Sequence, residues 1–426
     1  MRAMLGHLTR RGRLLLGAGV AGVVVSLFLG QRDLMRVGVL LVALPLLAAL
    51  LVARTRYRLA SARGLRPTRV VVDQPTTSVV RIQNVSRIPS GLLLVEDSVP
   101  WQLGRSQRFA IDRLESGGRR DVRYDLRGAL RGRYTIGPVS VQLVAPFGLC
   151  RASRQFTTTD MLTVVPATVP LPAIPVGGDW SGFGEARARA VASAGEDDVI
   201  PREYRTGDDL RRVHWKSTAR SGELMVRREE HPWRTRATIY LDTRAVAHRG
   251  EGPASSFEWA VTAAASMSVH LAWRGYAVRV LDADGTWLRA GQVHSDALSG
   301  PEAEGPLLDL FATVGLTEGV EPGVRDPTSR SRIRDGLLVA VLGDLDLDQA
   351  ENIAALRHGH ASALALVLDT SGWATRSTTP EDGRCTRVAA LLSSAGWRVA
   401  VCGPQTDLAQ AWRGLATAGI TAAGAR

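Results

Sequence analysis

Two uncharged apolar runs, residues 14–30 and 37–53, stand at the head of the chain with arginine at every border. A bilayer core of ~30 Å asks for about 20 apolar residues per helix. Leu34 and Met35 lengthen the second run, and flanking arginines can snorkel to the headgroups. The pattern predicts a transmembrane helical hairpin over 13–54, joined by a short connection at 31–36. Gln31, Arg32 and Asp33 follow the first run where a cleaved signal peptide would carry small residues. Pro45 inside the second run is compatible with a membrane helix, where freed backbone groups find other partners.

From residue 67 to 166 the period changes to two. Val122, Tyr124 and Leu126 alternate with Arg123 and Asp125, and Val139, Val141 and Leu143 alternate with Ser140 and Gln142. Further short strands are expected at 79–85, 92–95, 109–111 and 161–165, separated by turn residues at 116–118, 137–138 and 146–148. Several short strands in about a hundred residues predict a small β-sandwich-like domain. Asn84, Val85 and Ser86 spell a glycosylation sequon, read here as coincidence. A Pro/Gly-rich and then charged linker is expected over 167–200.

Beyond residue 201 the pattern alternates between β-rich apolar runs and helical periods. Strands are expected at 238–241, 277–281, 337–342, 363–368 and 399–401, and helices at 256–273, 307–314, 346–356, 385–394 and 407–417. Strands apolar at every position, separated by helices, predict a doubly wound α/β domain over 201–426, its parallel sheet covered on both faces. Asp242 closes the first of these strands, at the end where such folds place their sites.

Composition changes this picture little. The chain has 426 residues, a formal charge of +12 and three cysteines. Cys150, Cys385 and Cys402 are widely spaced, which excludes a disulfide framework and suits a reducing compartment. Lys216 is the only lysine among 53 basic residues, a bias that points to a GC-rich, actinobacterial-like bacterial genome. No basic run is interleaved with base-stacking aromatics, so nucleic acid is not an expected partner, and membrane lipid is. Arg2, Arg10, Arg11 and Arg13 precede the hairpin and Arg54, Arg56, Arg58 and Arg63 follow it, whereas Asp33 offsets Arg32 and Arg36 in the connection. The positive-inside rule then places both termini and the soluble domains in the cytoplasm, at the inner (plasma) membrane.

The densest motif reads PREYRTGDDLRRVHWKSTARSGELMVRREE at 201–230. Asp208 or Asp209 can cap a short helix that Gly222 ends, and Arg220 near its end suits the helix dipole. Asp208 stands three and four residues before Arg211 and Arg212, Leu210, Val213 and Ser217 form an inner stripe, and Trp215 lies within cation–π reach of either arginine. Lys216 holds a structural ion pair, a partner contact or a catalytic role, three readings that its sequence leaves open. The catalytic templates fail: Lys216 and Ser217 lack the glycines of a P-loop, adjacent Ser and Lys on a helix diverge, and His214 has no metal-ligand neighbour. No catalytic residue is assigned.

This motif resembles the signature of the family labelled "domain of unknown function fifty-eight", roughly REYxxGDDxRxIxWKxTARxGxLxVRxxE. The matching residues include Arg202, Glu203, Tyr204, Gly207, Asp208, Asp209, Arg211, Trp215, Lys216 and Arg220, and continue through Leu224, Val226, Arg227 and Glu230. Arg131 to Tyr134, Gly137 with Pro138, and 146–149 are similar to the family's RGxYxxGP and DPFGL elements, with Ala145 in place of the aspartate. The resemblance implies a von Willebrand factor A-like fold, whose metal site reads DxSxS. Here Asp242, Thr243, Arg244, Ala245 and Val246 stand there, so no bound metal and no cofactor are expected. It also implies a MoxR-type AAA+ ATPase as partner and a transglutaminase-like membrane protein as a further one. The expectation is a membrane-anchored interaction or scaffold protein in an envelope-related or chaperone-like assembly, not an enzyme. The alternative is a hydrolytic or phosphoryl-transfer enzyme using 202–220, with Asp208, Asp209, His214 and Lys216.

Overall fold

A computed structural model of the chain describes residues 8–54, 59–144, 148–175, 201–203, 215–227, 236–289, 297–324, 326–333, 336–357, 362–373 and 383–417. The chain forms two compact units, Met1–Pro166 and Ala167–Arg426.

The first unit opens with α1 (Arg10–Leu29) and α2 (Arg32–Arg54). The Thr9 hydroxyl caps α1 by accepting from Gly12 N at 3.2 Å, and Gly30 ends it with φ +64°. The connection expected at 31–36 shortens to Gly30 and Gln31, because Asp33 already sits in the first turn of α2 and pairs with Arg36 at 3.0 Å. A Cβ on Gly19 would lie 2.8 Å from Val42 N, and one on Gly38 2.8 Å from Val23 N. Small residues let two backbones come this close, a common device of helices in lipid. Both helices have mean hydropathy 2.0 and are long and apolar enough to cross a bilayer. Leu14, Leu27, Phe28, Leu40 and Leu47 point outward and are exposed, surface that a soluble protein's core helix would bury.

Among the described residues, ten strands follow: β1 (Leu59–Arg66), β2 (Arg69–Val71), β3 (Pro75–Asn84), β4 (Leu93–Asp97), β5 (Gln107–Ile111), β6 (Arg119–Arg127), β7 (Gly132–Ile136), β8 (Val139–Val144), β9 (Arg151–Gln155) and β10 (Asp160–Val165). They make three sheets, ordered β1-β3-β6, β5-β4-β8-β9 and β2-β10-β7. The first two share a core of Leu59, Val80, Ile82, Leu93, Val95, Ile111 and Val141. Leu65, Leu126, Ile136, Leu162 and Val164 build a second core with the third sheet. The strands begin at Leu59, ahead of the expected start at residue 67. In β1 the inward positions are Leu59, Ser61, Arg63 and Leu65, so the apolar alternation is broken by a cation. The buried Arg63 guanidinium pairs with the buried Asp97, its Nε donating to Oδ2 at 3.1 Å, and Nη1 donates to Ile136 O at 2.6 Å. Tyr124 donates its hydroxyl to the same carboxylate. Asn84 is likewise buried, donating to Ile88 O at 2.9 Å and Leu114 O at 3.1 Å, so the sequon asparagine is a loop staple.

The base of the hairpin is latched to the β8–β9 connection. Thr9 N donates to Leu149 O at 2.9 Å and the Thr9 hydroxyl to Gly148 O at 2.7 Å. Leu8, Ala48, Ala49, Leu149 and Cys150 pack as one small cluster. A Cβ on Gly12 would meet Leu149 O at 2.4 Å, so only glycine allows this approach.

The second unit opens with residues 167–175 of the expected linker, tied along the α/β domain. Val169 N donates to Ser266 Oγ at 2.9 Å, Trp412 Nε1 to Pro172 O at 3.0 Å, and Arg398 Nη1 to Pro175 O at 2.9 Å. The rest of that linker lies outside the described residues. Next come β11 (Pro201–Glu203), α3 (Trp215–Ser221) and β12 (Met225–Arg227), with β11 antiparallel to β12. Then follow β13 (Arg236–Leu241), α4 (Ser256–Trp273), β14 (Ala277–Leu281), β15 (Trp287–Leu288), α5 (Glu304–Thr313), α6 (Pro327–Ile333), β16 (Leu337–Leu342), α7 (Leu347–Ala354), β17 (Ala363–Leu368), α8 (Arg384–Ser394), β18 (Arg398–Cys402) and α9 (Leu408–Thr417). The sheet order is β15-β14-β13-β16-β17-β18, parallel throughout except for β15. β16 and β17 are buried at every position, the mark of a parallel sheet covered on both sides. Tyr240, Leu338, Ala340 and Leu342 meet Ile353 of α7 and Val388 and Leu392 of α8. The alternate residues of β13 and β16 face the other way, where α4 packs. Ala260, Ala263, Ala264 and Ser268 of α4 are buried, small enough for a helix to lie close on a sheet.

Candidate functional site

The strand order reverses beside β13, which lies between β14 and β16. Open α/β sheets bind ligands in the crevice at that point, beyond the carboxyl ends of the strands. Asp242 leaves β13 there and is fully buried. Its charge is met from within the chain: Arg244 Nε donates to Oδ1 at 2.9 Å and Nη2 to Oδ2 at 2.8 Å. The remaining guanidinium donors are also taken. Nη1 reaches Val320 O at 2.9 Å and Gln349 Oε1 at 3.1 Å, and Nη2 reaches Asp344 O at 3.1 Å. The carboxylate gains two backbone donors, Arg244 N at 3.2 Å and Gly343 N at 3.1 Å. The guanidinium's five N–H groups and both carboxylate oxygens are thus occupied, the condition for burying an ion pair without a large penalty.

Local structure explains how each partner arrives. Asp346 caps α7 in a capping box with Gln349, and the same Gln349 Oε1 that accepts from Asp346 N at 3.3 Å takes the Arg244 donor. Gly343 is required because a Cβ there would strike Ala247 O at 2.4 Å. His248 underlies the turn: its Nε2 bonds Asp242 O at 2.8 Å and its Nδ1 bonds Ser256 Oγ at 3.1 Å. A carbonyl only accepts, so Nε2 carries the proton of the neutral ring and Nδ1 accepts from the serine. Burial holds His248 below its ordinary pKa, offset in part by that bond to the Asp242 carbonyl. Burial also pulls on Arg244, but Asp242 outweighs it by hydrogen bonding and charge, and the guanidinium is held above its ordinary value.

A hard divalent cation needs several free oxygen ligands. Both Asp242 oxygens are committed to N–H donors, and Arg244 already supplies the positive charge that a metal would bring. The residues do not fit a divalent ion. Asp344 faces Arg384 at 3.4 Å and Arg249 at 3.9 Å. His248, Ser256, Gly343 and Gln349 were not foreseen as parts of this site. The one signal available in the sequence was an arginine two residues beyond an aspartate at the end of a buried strand.

The signature motif is a separate feature. The register Arg202↔Val226 and Glu203↔Met225 brings its two ends together. Trp215 opens α3 at 72% exposure, and Arg220 near its end is exposed as well. Gly222 ends the helix as expected, at φ +77° with its N–H on Thr218 O at 3.0 Å. Thr218 Oγ1 accepts from Met225 N at 3.0 Å and fastens α3 to β12. Lys216 lies in α3. Tyr204, Gly207, Asp208, Asp209, Arg211, Arg212 and His214, with the inner stripe at Leu210 and Val213, lie outside the described residues, as does the expected Trp215 cation–π contact.

The fold and the site define a class: an apolar helical hairpin, a mainly antiparallel β domain, and an α/β domain whose switch-point crevice is filled by an internal ion pair. Residues 201–286 match the family described as "Protein of unknown function DUF58", a span that holds the ribbon, β13, the Asp242–Arg244 pair and α4. No curated protein matches the chain. Among solved structures it is similar to the CARDB domain of the PF1109 protein from Pyrococcus furiosus, at 16% identity and TM-score 0.20, covering 26% of this chain and 96% of that one. A human seminal plasma complex of zinc 2-glycoprotein and prolactin inducible protein gives 16% identity and TM-score 0.20, covering 26% and 98%. Pseudomonas fluorescens alkylpurine DNA glycosylase AlkC gives 14% and 0.18, covering 33% and 42%. Scores this low carry no argument about fold or function.

Proposed function

We propose that this chain is a membrane-anchored interaction protein whose soluble part lies on the cytoplasmic face and docks a MoxR-type AAA+ ATPase through the element formed by β11, α3 and β12. The observation that carries the reading is Trp215. A tryptophan at 72% exposure on a helix pinned to its own ribbon presents apolar surface to a partner, and tryptophan and arginine are the residues most enriched at interface hot spots. The anchor reading rests on the length, hydropathy and outward apolar faces of α1 and α2. The strand order, with its short antiparallel edge strand, supports a von Willebrand factor A-like reading of the α/β domain. In that reading the plugged Asp242 position serves the fold and leaves recognition to other surfaces. A transglutaminase-like membrane protein as further partner, and an envelope-related or chaperone-like role, rest on the family resemblance alone.

The test is binding of the purified full-length chain, in mild detergent, to a purified MoxR-type ATPase from the same genome. Trp215→Ala and Lys216→Arg are expected to weaken binding at least tenfold while the thermal unfolding curve is unchanged. Absence of binding by the parent, or equal binding by both variants, overturns the docking assignment.

A further inference from the structure

The end of the β domain from which the hairpin emerges carries a surface with no role so far. Seven strand ends define it. β1 starts at Leu59, with four residues between it and the end of α2 at Arg54. Leu59 is in register with Asn84, the last residue of β3. Leu93, the first residue of β4, is in register with Ile111 and Leu143, and Val144 with Arg151. The starts of β1, β4, β6 and β9 and the ends of β3, β5 and β8 therefore lie together, beside the Gly148–Cys150 segment that is latched to Thr9 and Ala48.

At that same end the β3–β4 loop, residues 85–92, turns three apolar side chains outward: Val85 at 50% exposure, Ile88 at 45% and Leu92 at 41%. The loop is held rigidly in this posture. Asn84 staples Ile88 O and Leu114 O, Ser90 N donates to Leu114 O at 2.8 Å, and Ser116 Oγ donates to Ser86 O at 2.8 Å. Arg87 on the loop and Arg119 and Arg120 at the start of β6 are exposed beside it. The acidic groups at this end are Asp112, Glu115 and Asp121; Glu115 faces Arg113 at 3.0 Å and Asp121 faces Arg81 at 2.7 Å. Residues 59–166 as a whole contain sixteen arginines against eight carboxylates.

We propose that this end of the β domain is an interfacial lipid-binding face. Val85, Ile88 and Leu92 enter the boundary between headgroups and acyl chains, and Arg87, Arg119 and Arg120 engage anionic headgroups. The inference rests on the reading of α1 and α2 as membrane spans. Given that anchor, the five Cα–Cα steps from Arg54 to Leu59 reach at most about 18 Å, so Leu59 and the loop registered against it stay near the headgroup layer. An apolar tip rimmed by arginine matches the two attractions such a surface offers, apolar burial and negative potential. A rigid loop gives up little conformational freedom when it inserts.

Depth measurement on the full-length chain tests this. Nitroxides are placed singly by Ile88→Cys, Leu40→Cys and Trp101→Cys in a Cys385→Ser background, where the remaining Cys150 and Cys402 are buried. The protein is reconstituted into vesicles of phosphatidylcholine, or of equal parts phosphatidylcholine and phosphatidylglycerol. Collision with oxygen is compared with collision with a water-soluble nickel chelate. The label at 40 is expected to favour oxygen, and the label at 101, in the turn after the opposite end of β4, to favour nickel. The label at 88 is expected to favour oxygen, more strongly in the anionic vesicles, with a severalfold fall in that preference on Arg119→Glu with Arg120→Glu. A nickel-accessible label at 88 with an oxygen-favouring label at 40 overturns the lipid face and leaves the anchor standing. Shielding of 88 from both reagents means a protein covers the loop and also overturns it. A nickel-accessible label at 40 removes the anchor itself.

Discussion

Arg244→Ala is the sharpest perturbation of the α/β domain, because it removes a cation from a site that no water-borne ion replaces. The variant leaves Asp242 fully buried with only the N–H groups of residue 244 and Gly343. The guanidinium bonds that are lost also orphan Gln349 Oε1 and the carbonyls of Val320 and Asp344 in part. Breaking one side of a buried pair costs about 3–5 kcal/mol. For a domain of this size each kcal/mol shifts Tm by roughly 2–4 °C, giving a fall of roughly 6–20 °C. Arg244→Lys is expected to fall between, since an ammonium offers three donors where five are used. Asp242→Asn combined with Arg244→Met removes both charges and is expected to recover most of the loss, because the desolvation cost goes with them. Near-UV circular dichroism of the detergent-solubilised chain follows the transition. An Arg244→Ala variant within about 1 kcal/mol of the parent refutes the reasoning. So does a double variant no more stable than the single one. A rise in the parent's Tm with added Mg2+ refutes the plugged-site account directly, since a bound ion stabilises by mass action.

The same physics applies in the first unit, where Arg63→Met strands the buried Asp97; a loss of about 3–5 kcal/mol in urea unfolding is expected, and an unchanged midpoint contradicts it. His248 and His270 are both held below their ordinary pKa by burial, so the unfolded chain binds more protons than the folded one. Stability of the α/β domain is then fully present above about pH 6.5 and falls on acidification by up to ~1.4 kcal/mol per pH unit for each histidine, levelling once the folded-state values are passed. His248→Gln is expected to flatten that profile, and a parent profile flat between about pH 7 and about pH 5.5 rules it out. Trp412→Phe removes the Nε1 bond to Pro172 O, worth about 1 kcal/mol; faster hydrogen exchange confined to 167–175 is expected, and unaltered exchange there means the strap is held by other contacts.

Much of the α/β domain was legible because its signals are local. The runs 337–342 and 363–368 are apolar at every position, and α4 has a serine cap in Ser255 and a helical period that ends before Gly275. The hairpin was legible for the same reason. β1 was not, although its burial alternates with a period of two, because the residue at its third inward position is Arg63. Counting apolar residues reads that strand as a basic tail of the hairpin, and the boundary moves to residue 67. The Asp242 site failed by half. In the sequence Arg244 marks only the departure from the metal-site pattern, while its partners Val320, Asp344 and Gln349, 76 to 105 residues away along the chain, give no local sign of converging on it.

These two failures have one cause. In each, an arginine occupies an inward position and is neutralised by a fully buried aspartate that lies elsewhere, across the sheets for Arg63 and two residues back for Arg244. Burial of a guanidinium is tolerable only when its donors are met, so the folded chain must supply several acceptors at once. Periodicity reports none of them. In a chain whose basic residues are almost all arginine, surface charge and buried charge are written with the same letter. The distinguishing mark is positional: an arginine in phase with apolar neighbours on a strand, or following a buried strand's terminal aspartate. Arg63 satisfies the first condition and Arg244 the second. Reading arginines by phase as well as by number would have placed β1 in the β domain and turned the missing metal site into an expected ion pair.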